Sequence, residues 1–322
     1  PPPPPTLLKP TASAALNGTL AGPLLSPDGR WLYALNRTDG RLLRLDAATL
    51  RTTHAAAVPD GAAVALARDG RAVYVAAPRP AQAGGVLLVL DPASLAERRT
   101  AQLPAAPYDL AAGPNGRVFV SGGGGGWTDV TVVDAAAGTV LARWGGVWAR
   151  SFVGLTPDGS RLITSTQGVT PGRVEALPLP EPIADKPDAY TAPAGARVGG
   201  PLAVTPDGRY LLCQTGAVLR LAATRAEDLR PVADVGPFLA AAADPDRGRA
   251  YLLREDGTLD VLTYPEFQRR STHRTGVAAY GLALDPKAGR LYVAGIPLAA
   301  LRDRPRAKGV GDVLAFDVRE VK

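Results

Sequence analysis

Residues 26–34 read Ser-Pro-Asp-Gly-Arg-Trp-Leu-Tyr-Ala, a tight turn followed directly by a short apolar strand. Proline presets the backbone at the start of such a turn, and glycine accepts the positive φ that the end of the turn requires. The same turn or a close variant recurs along the chain, with its glycines 40 to 49 residues apart. These glycines are Gly29, Gly70, Gly116, Gly159, Gly208, Gly248 and Gly289. A period in this range is typical of one supersecondary unit that is repeated along the chain.

One repeat shows how each unit is built. Tyr108–Ala112 and Arg117–Ser121 are short apolar runs on either side of a Gly-Pro-Asn-Gly turn. Asp129–Asp134 and Thr139–Trp144 follow as a third and a fourth strand. Four short strands joined by turns are typical of a propeller blade. We therefore predict an all-β fold, a seven-bladed β-propeller of four-stranded antiparallel blades.

The two ends of the chain are expected to complete one blade together. The last unit provides strands as far as Val313–Asp317 but no outer strand, and Ala12–Leu20 precedes the first inner strand. We predict that this N-terminal segment is the missing outer strand, which removes open sheet edges. The propeller then spans residues 12–322, after a proline-rich linker at residues 1–11. Because the chain contains no methionine, we expect it to be part of a longer product with a signal peptide, a lipid anchor or another domain before it.

The charge balance raises the question of an anionic partner, since the net charge is +6 and the pI is about 9.6. The arginines are spread over every unit, commonly just after the turn glycine, as at Arg30 and Arg71. A repeated structural position explains them without a ligand. The one local run is Arg302 to Lys308, which we interpret as a solvated loop. We expect no nucleic-acid partner, no transmembrane segment and a monomer.

Three segments follow a common pattern next to the repeated turns: Val-Tyr-Val-Ala at residues 73–76, Val-Val-Asp-Ala-Ala-Ala-Gly-Thr-Val at 132–140 and Leu-Tyr-Val-Ala-Gly at 291–295. These segments resemble the YVTN family of bacterial seven-bladed propellers. That family includes surface-layer and other extracytoplasmic proteins, so the resemblance implies a location outside the cytoplasm. Related seven-bladed folds carry lactonases, quinoprotein dehydrogenases and the haem d1 domain of nitrite reductase. The fourth unit departs from the pattern, because residues 177–182, Leu-Pro-Leu-Pro-Glu-Pro, interrupt its third strand.

A binding surface is expected on the face opposite the repeated turns, where the long and variable loops lie. Those loops are Pro78 to Gly85, Gly122 to Thr128, Ser165 to Gly172 and Gly295 to Gly311. Aromatic and arginine side chains at that face suit stacking and charge-assisted hydrogen bonds to a partner. The predicted ligand-binding residues are Tyr108, Asp109, Trp127, Trp148, Arg150, Arg197, Phe238, Tyr280, Arg302 and Arg304. The leading hypothesis is a non-catalytic binding or scaffolding propeller for a protein, peptide or glycan, with no cofactor.

Few residues in the sequence offer catalytic chemistry. His54 and His273 fall on predicted outer strands, which argues against haem ligation and a Ser-His-Asp triad near the channel. Cys213 is predicted to be a buried, unreactive thiol. The alternative is a calcium-dependent hydrolase of the lactonase type, with Asp60 or Asp109 as ligands and Arg150 or Arg197 orienting the substrate. Asp234 is a further candidate oxygen ligand.

The glycine run Gly122 to Gly126 is not interpreted as a phosphate-binding loop. Such loops lead from a strand into a helix and carry a lysine with a serine or threonine, or the spacing of three glycines that opens a dinucleotide-binding helix. Here both flanks are predicted strands. We therefore expect a flexible connection between the second and third strands of its blade.

Overall fold

Among the described residues the strands form seven sheets, each built on four antiparallel strands, and one sheet carries a fifth, parallel strand at its edge. This confirms the prediction of an all-β, seven-bladed β-propeller. A computed structural model describes residues 5–79, 84–183, 185–298 and 311–319. We number the blades in the order of their inner strands along the chain. In a propeller each blade buries its faces against neighbouring blades, so the strands are short and mostly apolar. Buried runs such as Leu32–Leu35 and Val73–Ala77 follow this pattern.

Blades 1, 6 and 7 belong to one compact unit, made of residues 1–57 and 237–322. Blade 1 contains β3 (Leu20–Leu25), β4 (Trp31–Asn36), β5 (Arg41–Asp46) and β6 (Thr52–Ala57). Blade 6 contains β23 (Ala240–Asp244), β24 (Arg249–Leu253), β25 (Thr258–Thr263) and β26 (Arg269–Arg274). Blade 7 contains β27 (Val277–Asp285), β28 (Arg290–Pro297) and β29 (Asp312–Asp317) together with the N-terminal β2 (Ala12–Ala15).

Blades 2 to 5 belong to a second compact unit, residues 58–236. Blade 2 contains β7 (Ala63–Leu66), β8 (Val73–Arg79), β9 (Gly84–Leu90) and β10 (Glu97–Leu103). Blade 3 contains β11 (Pro107–Ala112), the 3-10 turn Pro114–Gly116, β12 (Arg117–Gly122), β13 (Trp127–Asp134) and β14 (Thr139–Trp148). Blade 4 contains β15 (Phe152–Leu155), β16 (Arg161–Ser165), β17 (Val174–Pro178) and β18 (Tyr190–Thr191). Blade 5 contains β19 (Leu202–Val204), β20 (Tyr210–Cys213), β21 (Ala217–Arg220) and β22 (Pro231–Asp234).

The N-terminal segment completes blade 7, as predicted. β2 pairs antiparallel with β29, with Ala12 opposite Ala315 and Ala15 opposite Asp312. Residues upstream of β2 are also packed: β1 (Thr6–Leu7) pairs in parallel with β26, and the Leu8 amide donates to the Arg274 carbonyl at 2.9 Å. Leu8 itself is buried. The part of the predicted linker from Thr6 onward therefore lies against blade 6, because its backbone extends that sheet.

Three of the repeated turns are closed by their own side chains. Thr205 Oγ1 donates to Asp207 Oδ1 at 2.7 Å and accepts from the Tyr210 amide at 3.0 Å. Ser26 and Thr156 do the same in their turns. The Ser26 hydroxyl lowers the pKa of Asp28 below its usual value. All seven turn glycines have positive φ, between 61° and 74°, where a side chain would be strained.

A second turn, between third and outer strands, depends on an aspartate. Asp91 Oδ1 accepts from the amides of Ala93 and Ser94 at 2.8 and 2.7 Å. These hydrogen bonds, above all the one from the Ser94 amide, lower the pKa of Asp91 to about 2. The following Leu95 has a φ of 58° and is buried, so the turn anchors an apolar side chain in the core. Asp46 and Leu50 repeat this arrangement in blade 1.

We expect Asp91→Asn to lower the free energy of unfolding by about 1 kcal/mol at pH 7, after allowance for the solvent access of the carboxylate. A carboxylate whose folded pKa is lowered stabilises the protein above its unfolded pKa of about 3.9. That stability is lost as the pH falls through about 2, the folded pKa of Asp91. Urea denaturation at pH 7, 5, 3 and 2 should therefore show the difference shrinking toward low pH. Asp188→Asn, at a side chain that is 87% exposed, is the control; an equal difference at every pH would contradict the prediction.

Candidate functional site

A groove lies in the second compact unit at the end of blades 3 and 4 that is opposite the repeated turns. At this end β12 ends, β13 begins and β14 ends, and β16 and β17 are joined by a loop. The cavity has a volume of about 490 Å³, within the range of small-ligand sites. It lies on the face that the sequence predicts to be the binding surface.

Two tryptophans form one wall of this groove. Trp127 begins β13 and lies opposite Trp148 at the end of β14. Their ring centroids are 5.4 Å apart with an interplanar angle of 86°, an edge-to-face contact that aromatic pairs favour. Trp127 is 64% exposed, which is unusual for the largest apolar side chain. The register of the two strands thus fixes a rigid aromatic surface at the mouth of the groove.

Backbone hydrogen bonds hold the glycine run beside Trp127. The Arg150 amide donates to the Gly122 carbonyl at 2.9 Å, and the Ala149 amide donates to the Gly126 carbonyl at 2.8 Å. Gly126 has a φ of 73°. Both flanks of the run are strands, as predicted. The run therefore positions Trp127 at the start of β13.

The opposite wall and the floor come from blade 4. The loop after β16 and the segment after β18 supply mostly apolar groups, and the strand ends add hydroxyls. The groove-lining residues that matter below are Ser151, Thr164, Thr166, Val169, Pro171, Val174, Thr191, Pro193 and Val198. Because β18 is only two residues long, the chain leaves the sheet at Ala192 and crosses the top of the blade. The early end of β18 therefore shapes the groove.

The polar groups of the groove are largely bonded to one another. Arg173 Nη1 lies 3.3 Å from Glu175 Oε1, and the Glu175 side chain is 13% exposed. Thr166 Oγ1 accepts from the Arg173 amide at 2.7 Å, and Ser151 Oγ donates to the Trp148 carbonyl at 2.7 Å. These bonds fix the floor, so the groove is preformed.

Two other predicted site residues, Tyr108 and Asp109, stabilise the structure next to the groove. The Tyr108 hydroxyl donates to Gln167 Oε1 in the loop after β16, and its ring packs edge-to-face on Phe152 at 5.3 Å. Asp109 Oδ2 accepts from the amide of Val153 at 2.9 Å, which links blade 3 to blade 4. Of the predicted residues in this unit, Trp127 and Trp148 line the groove.

The two predicted arginines of this unit are exposed and lie outside the groove lining. Arg150 has a φ of 60°, and its Nε approaches the Gly123 carbonyl at 3.5 Å. Arg197 contributes its carbonyl, which accepts from Thr215 Oγ1 at 2.5 Å. Their guanidinium groups remain accessible at the same end of the blades.

The remaining predicted residues belong to the other compact unit. Phe238 is 4% exposed, because its ring packs in the core before β23. Its role in ligand binding stays a prediction. Tyr280 is half-buried, and its hydroxyl accepts from the Leu20 amide at 3.3 Å. Burial raises its pKa. Arg302 and Arg304, with the rest of the basic run, lie outside the described residues.

The residues with possible catalytic chemistry lie on or between different blades. Asp60 is exposed at a φ of 58°. Over residues 5–79, 84–183, 185–298 and 311–319, no group of three or more His, Cys, Asp or Glu side chains could hold a metal ion. His54 and His273 lie on the outer strands β6 and β26, as predicted. Cys213 is buried, as predicted, and burial raises the pKa of its thiol to about 12.

The sequence did not indicate the blade 4 side of the groove. Arg173, Glu175 and Pro193 were not singled out because a single sequence does not show where an outer strand ends early. The segment Thr-Ala-Pro-Ala-Gly at residues 191–195 was the available signal, since proline and glycine disfavour a continued strand. Only the pairing of β17 with residues 190–191 shows that the chain then turns over the groove.

Comparison with known proteins supports the fold and no closer relationship. No protein-family model matches the chain, and no curated protein matches it by sequence. Among solved structures the chain is similar to hydrazine synthase from Kuenenia stuttgartiensis, with a TM-score of 0.68 and 16% identity over 87% of this chain and 94% of that one. At this identity the likeness shows the seven-bladed propeller fold alone. The YVTN family assignment stays a prediction.

Within the described residues, no helix has the length and apolar character needed to cross a membrane.

We expect Asp109→Ala to lower the free energy of unfolding by about 1–3 kcal/mol, because the buried Val153 amide would lose its acceptor. Asp109→Asn keeps an acceptor oxygen and should recover much of that loss. Asp60→Asn, at an exposed carboxylate, is the control for charge alone. Chemical denaturation of the three variants checks this. Equal stability of Asp109→Ala and the native chain would contradict the structural role of Asp109.

Proposed function

We propose that the chain is a non-catalytic binding propeller that presents the Trp127–Trp148 groove to a protein, peptide or glycan partner. The main support for this proposal is the exposure of Trp127. When a partner covers a large aromatic side chain at the mouth of a cavity, apolar surface is removed from water, which favours binding. The propeller is a rigid support for such a surface. The groove is preformed, which limits the entropy lost when a ligand binds.

We infer the location from the YVTN resemblance, which favours a protein of the bacterial surface or another extracytoplasmic compartment. The proposed binding role fits such a location. The calcium-dependent lactonase alternative gains no support from the described geometry. Asp109 Oδ2 accepts from the Val153 amide, and among the described residues neither Asp60 nor Asp109 belongs to a group of three or more His, Cys, Asp or Glu side chains that could hold a metal ion.

Binding to arrays of peptides and glycans tests the proposal. We expect at least one ligand class to bind the native chain and to bind roughly tenfold more weakly, or not at all, to Trp127→Ala and to Trp127→Ala/Trp148→Ala, because buried aromatic anchors dominate such sites. Leu141→Ala is the matched control. Leu141 is a 45% exposed apolar residue on β14, the strand that also carries Trp148, and it does not line the groove. Far-UV circular dichroism confirms that the variants are folded. Ligands bound equally by all variants would contradict a functional groove.

A further inference from the structure

The lining of the groove holds one positive and one negative side chain. Among the described residues that line it, Arg173 and Glu175 are the charged ones. They lie two positions apart in the sequence, and Arg173 Nη1 is 3.3 Å from Glu175 Oε1. Because the two charges offset each other, the lining attracts neither anions nor cations strongly. The charge balance of the groove therefore favours an uncharged ligand.

Arg173 and Glu175 also keep hydrogen-bonding capacity for a ligand. Glu175 Oε1 accepts from Arg173 Nη1, and no other described residue donates to Glu175 Oε2. The Arg173 side chain is 53% exposed and has guanidinium N–H groups beyond the one that contacts Glu175. Thr164 and Thr191 line the groove, and their hydroxyls form no hydrogen bond to another described residue. The groove can therefore bind a ligand that carries donors and acceptors side by side.

Trp127 adds an apolar surface to the same groove. It is 64% exposed, and its ring is nearly perpendicular to that of Trp148. The face of an aromatic ring carries negative partial charge, which attracts C–H groups that are polarised by a neighbouring oxygen. A pyranose ring whose hydroxyls are equatorial has such C–H groups on both faces and its hydroxyls around the rim. It can therefore stack on an indole and still direct hydroxyls to polar groups beside it.

We infer that the ligand of this groove is a neutral oligosaccharide of pyranose rings with equatorial hydroxyls, an inference that rests on the proposed binding function. One ring stacks on Trp127. Of two adjacent hydroxyls at the rim of a ring, one donates to Glu175 Oε2 and its neighbour accepts from Arg173. The Glu175 side chain is only 13% exposed, so this charge-assisted hydrogen bond forms at a partly desolvated carboxylate, where it is strong.

A peptide would meet the requirements of the groove less directly. Trp127 needs apolar surface, and Glu175 and Arg173 need a donor and an acceptor. A peptide takes the apolar surface from a side chain and the donor and acceptor from its backbone or another residue, so more rotatable bonds are ordered on binding. A pyranose ring holds all three in one rigid unit, which lowers that entropy cost. These requirements therefore favour a saccharide over a peptide.

Isothermal titration calorimetry of the full chain with cellohexaose and with xylohexaose tests the inference. Both probes are uncharged, and their ring hydroxyls are equatorial. We expect saturable binding of at least one of them, weakened roughly tenfold by Trp127→Ala. Leu141→Ala, the control outside the groove lining, should bind like the native chain. Trp127 is largely exposed, so its substitution should leave the melting temperature nearly unchanged.

Glu175→Gln tests the hydrogen bonds separately from the stacking. The amide keeps the size of the side chain but loses the charge, so we expect roughly fivefold weaker binding with the melting temperature as the check on folding. Asp188→Asn, at an 87% exposed carboxylate outside the groove lining, is the matched control and should bind like the native chain. Raising NaCl from about 50 mM to about 500 mM should change the affinity less than about twofold, because the ligand is uncharged.

The possible failures are distinguishable. No saturable binding of either probe, or binding that is equal in the native chain and in Trp127→Ala, would overturn the inference. Binding that falls steeply with salt would overturn the neutral class of ligand. Peptide binding that depends on Trp127, together with no binding of either probe, would overturn the inference and leave the groove as a binding site. No ligand of any class that depends on Trp127 or Trp148 would overturn both the inference and the proposed function.

Discussion

The structure depends on the first turn of each blade, in which a glycine takes positive φ. In three of the seven blades a serine or threonine before the turn donates to the aspartate of the turn and accepts from the amide of the next strand, as at Thr205, so the turn closes through local hydrogen bonds. Glycine meets this backbone requirement without strain. The turn sets the start of the second strand in every blade. The strand order within each sheet follows from that repeated constraint.

This constraint leaves the opposite end of the blades open to variation. In blade 3 that end carries a glycine run and two paired tryptophans, and in blade 4 it carries a shortened outer strand. The pairing of β13 with β14 places Trp127 beside Trp148. The Asp109 side chain accepts a hydrogen bond from the Val153 amide and so connects β11 to β15. The groove is therefore built from variable residues held by regular backbone pairing, as is common for binding sites on rigid β scaffolds.

The sequence predicts the fold well because the turn chemistry is local and repeated. It predicts the site partly: Trp127 and Trp148 belong to the groove, but Phe238 is in the core, since proximity to a loop does not determine how deeply a ring packs. Asp109 illustrates the limit, because its partner lies 44 residues away on the next blade. The blade 4 wall was missed for the same reason, as its course depends on where pairing stops rather than on a local motif.

The indole N–H signals of the chain, labelled with ¹⁵N and titrated with a peptide or glycan that binds on the arrays, test the groove most directly. The chain has four tryptophans, of which Trp127 and Trp148 line the groove, while Trp144 is fully buried and Trp31 lies in the other unit beneath Arg44. We expect the signals of Trp127 and Trp148 to shift with a common affinity and those of Trp31 and Trp144 to stay in place. Shifts confined to Trp31 or Trp144, or no shift at saturating ligand, would contradict a binding groove at Trp127 and Trp148.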